Sequence, residues 1–103
     1  MSEKQVLLTA ADLLAREGAW TQRAAARDFA GREVEATHAS AICWCICGAI
    51  DRVLPDFPGV TYESALEPLG GAQAAIRVND KPTATQAEIV AFIRGRAALE
   101  DGR

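Results

Sequence analysis

Leu7, Ala10, Ala11 and Leu14 recur at helical spacing with Val6 and Leu13 beside them, so residues 3–17 are predicted as an amphipathic helix stopped by Gly18. Residues 20–27 hold helix-forming alanines and a Thr21 able to cap a second helix. Beyond them, however, Asp28 and Gly31 occupy the first and last positions of a type I turn, and residues 32–35 alternate like a polar edge strand. A short β-hairpin is the favoured reading of this stretch, with helix as its alternative. Residues 39–54 are apolar almost all round. At about 100° per residue, Ile42, Ile46, Ala49, Ile50 and Val53 share a face, Cys43, Cys47 and Leu54 lie beside it, and Trp44 and Asp51 lie opposite. Such a segment is predicted as a central buried helix, capped by Ser40 and ended by Pro55, with Cys45, Gly48 and Ala49 offering small surfaces to a close neighbour.

Residues 56–59 form a turn, Thr61 caps a short helix to Leu69, and Pro68 with Gly70 and Gly71 marks a break before another short helix over residues 72–78. Residues 79–82 are predicted as a second turn. Thr85 and Glu88 then form a capping box that opens a helix with Ile89, Phe92, Ile93 and Ala97 inward and Glu88, Arg94 and Arg96 outward. Residues 101–103 are expected to fray. The elements add up to one mostly helical α+β domain over residues 1–103. Its central cysteine-bearing helix is expected to sit among amphipathic N- and C-terminal helices, with one hairpin to the side.

Length limits what such a domain can hold. A chain of 103 residues removes roughly 60 to 68% of its unfolded surface from water, enough for one core. A two-lobed dinucleotide enzyme, a TIM barrel or a kinase is excluded. Half the residues are hydrophobic, which excludes a disordered chain. Of these, 21 are Ala and six are aromatic, so packing must come from close helix approach around a few large side chains. Nine Arg to two Lys, together with the alanines, point to a GC-rich bacterial or phage gene. A net charge of -3 with dispersed Arg residues argues against nucleic acid as a partner. The amino terminus leads into an amphipathic stretch, so no secretory signal is expected. The longest apolar run, about twelve residues, falls short of the roughly 20 that cross a membrane. Three clustered cysteines make no disulfide framework and suit a reducing cytoplasm.

Gly18-Ala19-Trp20-Thr21-Gln22, Ala26-Arg27-Asp28 with Gly31, Cys45-x-x-Gly48-Ala49-Ile50, and Asn79-Asp80 followed by Thr85 and Glu88 occur in this order. Their arrangement resembles a family of small bacterial and phage proteins known as a domain of unknown function, over roughly residues 5 to 99. The resemblance implies that Cys45 is the family's cysteine, while Cys43 and Cys47 are additions of this chain. Val78 stands where relatives often have an aromatic residue. No activity comes with the resemblance.

Candidate chemistry is sparse. His38 with Cys43, Cys45 and Cys47 offers ligand types that zinc accepts, but on a helix Cys45 points away from the other two, so no metal is expected. No cofactor is expected either. Cys45 near a helix start, with His38 or Asp80 as base, has the makings of a nucleophile for a small hydrolase or transferase. The plainer account is a cysteine packed where Gly48 lets a backbone come close. Asn79 and Asp80 read first as turn residues bonding their own backbone. Together with Asp28 they would instead line a polar ligand site near Trp20 or Trp44. Trp44 is either a second core layer, the favoured reading, or an exposed anchor for a partner chain. The expected function is a non-catalytic accessory or interaction domain, with a homodimer or another protein as partner. Its rivals are the Cys45 enzyme and a polar-ligand binder at Trp20, Asp28, Trp44, Asn79 and Asp80.

Overall fold

A computed structural model describes residues 2–100, so the expected fraying of residues 101–103 lies outside the described residues. The first helix, α1 (Glu3–Leu14), begins where the Ser2 hydroxyl accepts the Gln5 N–H at 3.3 Å. It ends at Leu14 instead of running to residue 17. Gln86, from the far end of the chain, donates to the Leu14 and Arg16 carbonyls at 2.7 and 2.6 Å, so a distant side chain satisfies the helix end. Gly18, at φ +75, lies in the turn that follows.

Three two-residue strands, β1 (Ala26–Arg27), β2 (Glu33–Val34) and β3 (Cys43–Trp44), make an antiparallel sheet in the order β2-β1-β3. Ala26 faces Val34 on one side and Trp44 on the other, and Arg27 faces Glu33 and Cys43. The Asp28 carbonyl accepts the Gly31 N–H at 2.9 Å, and Gly31 takes φ +84, so the hairpin forms at the turn that its sequence specifies. A parallel bridge between Trp20 and Trp44 extends the pairing on the β3 side.

β3 corrects the expectation of one helix over residues 39–54. The Ile42 N–H donates to the Arg27 carbonyl at 2.9 Å, and this pairing with a segment well back in the chain holds residues 42–44 extended. Helix α2 (Ile46–Val53) starts only afterwards, and its cap is Cys45, not Ser40. The Ser40 N–H and hydroxyl go instead to His38 Nδ1, at 3.0 and 2.8 Å. Ile42 was expected on the core face but is 49% exposed. Trp44 is buried as the favoured reading had it: its indole N–H donates to the Ala36 carbonyl at 2.9 Å, and the Arg52 guanidinium lies 5.4 Å from its ring centre.

A 3-10 turn over Leu54–Asp56 with Pro55 at its start ends α2. Thr61 caps α3 (Tyr62–Leu66) in a reciprocal box with Ser64, and the chain passes through a second 3-10 turn, Glu67–Leu69, into α4 (Ala72–Asn79). α5 (Gln86–Ala98) opens on the expected box: Thr85 Oγ1 accepts the Glu88 N–H at 3.2 Å, and Glu88 Oε1 accepts the Thr85 N–H at 3.0 Å.

The architecture is therefore α+β. Val6, Leu7, Ala10, Ala11 and Leu14 of α1 are fully buried, and α1 packs along both α2 and α5. The Ala-rich faces permit this close approach, while Ile46, Ile50, Ile89 and Ile93 supply most of the buried volume from the two flanking helices. Among the described residues, no helix is long and apolar enough to cross a membrane.

Candidate functional site

Asn79 closes α4 instead of opening the turn predicted at residues 79–82, and only 1% of its surface is exposed. Its side chain does not bond its own backbone. Oδ1 accepts the Trp20 indole N–H at 2.8 Å and the Ile46 N–H at 3.0 Å, while Nδ2 donates to the Thr21 carbonyl at 3.1 Å and to Asp80 Oδ1 at 2.9 Å. Two donors and two acceptor positions are all that an amide side chain offers, and all are used. Gln22 doubles the link, donating to the carbonyls of Asn79 and Lys81 at 2.8 and 3.0 Å. Asp80 Oδ1 also accepts the Arg23 N–H at 2.9 Å, holding Arg23 at φ 65 in the left-handed region. The end of α4, the head of α2 and residues 20–23 are thus locked to one another by polar contacts from a single corner.

Beside this corner lies a cleft of about 310 Å³. Arg23, Ala24 and Ala25 line it from the chain before β1, and Ala75, Ile76, Asn79 and the following Asp80 line it from α4. Cys45 and Cys47 complete the lining. Cys45 is held extended at the head of α2, where its sulfur accepts the Gly48 N–H at 3.3 Å. Gly48 has no room for a side chain, because a Cβ there would run into the Ala25 carbonyl group, whose carbon would lie 2.8 Å away.

The two thiols line the same cleft and shift each other's titration. The Cys45 S–H, and after it the Tyr62 hydroxyl, draw the Cys47 thiol below the ordinary range against the opposing effects of burial and Asp80. Cys45 is pushed upward, first by Cys47 and then by burial. Tyr62 is raised as well, first by burial and then by the neighbouring Cys47.

The family model described as Family of unknown function (DUF6197) matches residues 1–99. The chain belongs to this family. Neither a curated protein nor a solved structure matches it.

In this DUF6197 domain, the residues singled out from sequence divide into two groups. Cys45, Asn79 and Asp80 line the cleft, and Trp20 touches it through Asn79. Asp28, Trp44 and His38 are not among its lining residues. Asp28 braces the hairpin: Oδ1 accepts the N–H groups of Ala30 and Arg32 at 2.9 Å each, and Oδ2 accepts Arg32 Nε at 3.0 Å. The Arg32 backbone bond, more than any other contact, holds its carboxyl below the usual range. His38 is exposed, its Nδ1 occupied by Ser40. Cys43 turns its thiol to the Arg27 carbonyl at 3.8 Å. Among the described residues, no group of three or more His, Cys, Asp and Glu is arranged to hold a metal ion. Sequence reasoning missed Cys47, Ile76 and the segment at residues 23–25. Gly48, three residues after Cys45, was the available signal, since a backbone that presses on a helix glycine leaves space next to it.

Proposed function

We propose that this domain is a non-catalytic interaction domain whose recognition site is the cleft between residues 23–25 and α4, where it takes a small apolar side chain from a partner protein. The observation that carries the reading is a cleft lined largely by Ala24, Ala25, Ala75 and Ile76, beside an Asn79 amide that is fully hydrogen-bonded. Asn79 has no free donor or acceptor, and Asp80 Oδ1 holds two donors. These bonds fix the shape of the cleft. Ile76, 44% exposed at the mouth, supplies the apolar rim that a partner side chain would cover. The hydrolase reading loses His38 as its base, since that ring bonds Ser40 and does not line the cleft, and is left with Asp80.

The test is saturation-transfer NMR with N-acetyl amino acid amides, run on the wild type and on Ile76→Arg, whose long charged side chain would block the mouth. Leu, Val and Met amides should receive saturation from the wild type, Asp and Lys amides should not, and Ile76→Arg should bind none while keeping its helical circular dichroism. Equal binding by Ile76→Arg, or no binding of apolar amides by the wild type, would overturn the reading.

A further inference from the structure

Cys45 and Cys47 face the same cleft, with Ile46 between them turned into the core at 0% exposure. The backbone at Cys45 is extended and then bends into the first turn of α2, which brings the second cysteine back toward the first. Cα atoms two residues apart in such a bend are separated by roughly 5–7 Å, within most of the span a disulfide bridges. The pair also divides its labour. Cys45 Sγ is anchored by the Gly48 N–H, while Cys47, whose thiol Cys45 and Tyr62 draw downward, has no such backbone anchor. The third cysteine is engaged on the sheet with the Arg27 carbonyl and takes no part in the cleft.

We propose that Cys45 and Cys47 are a redox-active dithiol that exchanges with small uncharged disulfides admitted by the cleft and closes to an intrachain disulfide. The Cys47 thiolate attacks one sulfur of the incoming disulfide RSSR, forming a Cys47–SR mixed disulfide and expelling RS⁻, which takes up a proton. Cys45 then loses its proton and attacks the Cys47 sulfur, forming the Cys45–Cys47 bond and expelling the second RS⁻, which is protonated in turn. Two electrons and two protons pass from the pair to RSSR, which leaves as two RSH. The lowered thiol range at Cys47 supports its place as the attacking group. Closure also withdraws Cys45 from the Gly48 N–H, so oxidation loosens the head of α2 and changes the lining of the cleft. The proposal uses the same cleft as the interaction reading but does not depend on a partner side chain filling it.

The reduced protein is treated with 2-hydroxyethyl disulfide at neutral pH, quenched in acid, denatured and alkylated with N-ethylmaleimide. The tryptic peptide over residues 33–52 carries all three cysteines, and fragmentation at Trp44 and at Ile46 locates each adduct. The wild type should end with one maleimide, on Cys43, and a mass two hydrogens lower for the bridged pair. Cys45→Ser, whose hydroxyl can still cap α2, should stop at the mixed disulfide on Cys47. Cys47→Ser should react at least about tenfold more slowly than the wild type, having lost the attacking thiolate. Three maleimides on the treated wild type, a bridge that includes Cys43, or a mixed disulfide spread evenly over the three cysteines would overturn the proposal. Binding of apolar amides by the reduced protein is read separately, so failure of either proposal leaves the other standing.

Discussion

Replacing Asn79 with Ala removes the junction that joins α4, α2 and residues 20–21. In the native chain its Oδ1 serves the Trp20 indole and the Ile46 N–H, and its Nδ2 serves the Thr21 carbonyl and Asp80. Asp80 keeps the Arg23 N–H after the substitution, but the other three groups lose a partner. A buried polar group left unpaired costs about 1–3 kcal/mol. Ile46 is fully buried and bears the full penalty, whereas Trp20 and Thr21 are half-buried and recover part of theirs from water. The sum is about 3–5 kcal/mol, which for a domain of this length lowers Tm by roughly 15–30 °C. Urea denaturation followed by circular dichroism gives the free energy, and the Trp20 indole proton resonance reports the broken bond directly. A double-mutant cycle with Trp20→Phe, which removes one of the orphaned donors, should show the two losses to be non-additive. A loss below about 1 kcal/mol for Asn79→Ala, or strict additivity in the cycle, would refute the reasoning, because water would then be an adequate substitute for the amide.

Two further outcomes follow from the same geometry. Gly48→Ala places a methyl group against the Ala25 carbonyl, so α2 and residues 24–26 must separate; a loss of about 1–3 kcal/mol in urea denaturation is expected, and unchanged stability would disprove the close approach. Asp28 has its folded-state carboxyl held low by the Arg32 N–H, so its contribution is complete above the unfolded value of 3.8 and disappears as pH falls through the lower folded value. The gap in Tm between wild type and Asp28→Asn should therefore be open at pH 7 and narrow below pH 3.8, whereas a gap independent of pH would rule out the carboxylate as its source.

Elements coded by neighbouring residues were legible in the sequence. The Thr85–Glu88 box, the Thr61 cap and the Asp28–Gly31 turn depend on side chains within three or four positions of the groups they bond, and each forms where its spacing indicated. What escaped was set by distant partners. The apolar run at residues 39–54 has no polar break at residue 45, so periodicity extends the helix through a stretch that β1 recruits as β3. Asn79 carries turn chemistry with Asp80 and Pro82, yet three of its four side-chain partners lie 33 to 59 positions away in sequence. The same non-local contacts build the cleft. Cys45 and Asp80 could be named as candidates from their types alone, but the wall at residues 23–25 became visible only once Asn79 and Asp80 had drawn that segment over α2. Asp28 was placed with them because an acidic residue near a tight turn can serve either a ligand or the turn itself, and here the Ala30 and Arg32 N–H groups claim it.

The central claim is that the cleft flanked by residues 23–25 and α4 is where the domain binds. Its most direct test is an amide chemical-shift map of the isotopically labelled wild type, titrated with N-acetyl-leucine amide. The largest saturable shifts should fall at Arg23, Ala25, Cys47, Ile76 and Asp80, with the hairpin tip at Phe29 unaffected although that ring is 92% exposed. Shifts centred on Phe29 and Ile42, or scattered over the surface without saturation, would contradict the claim.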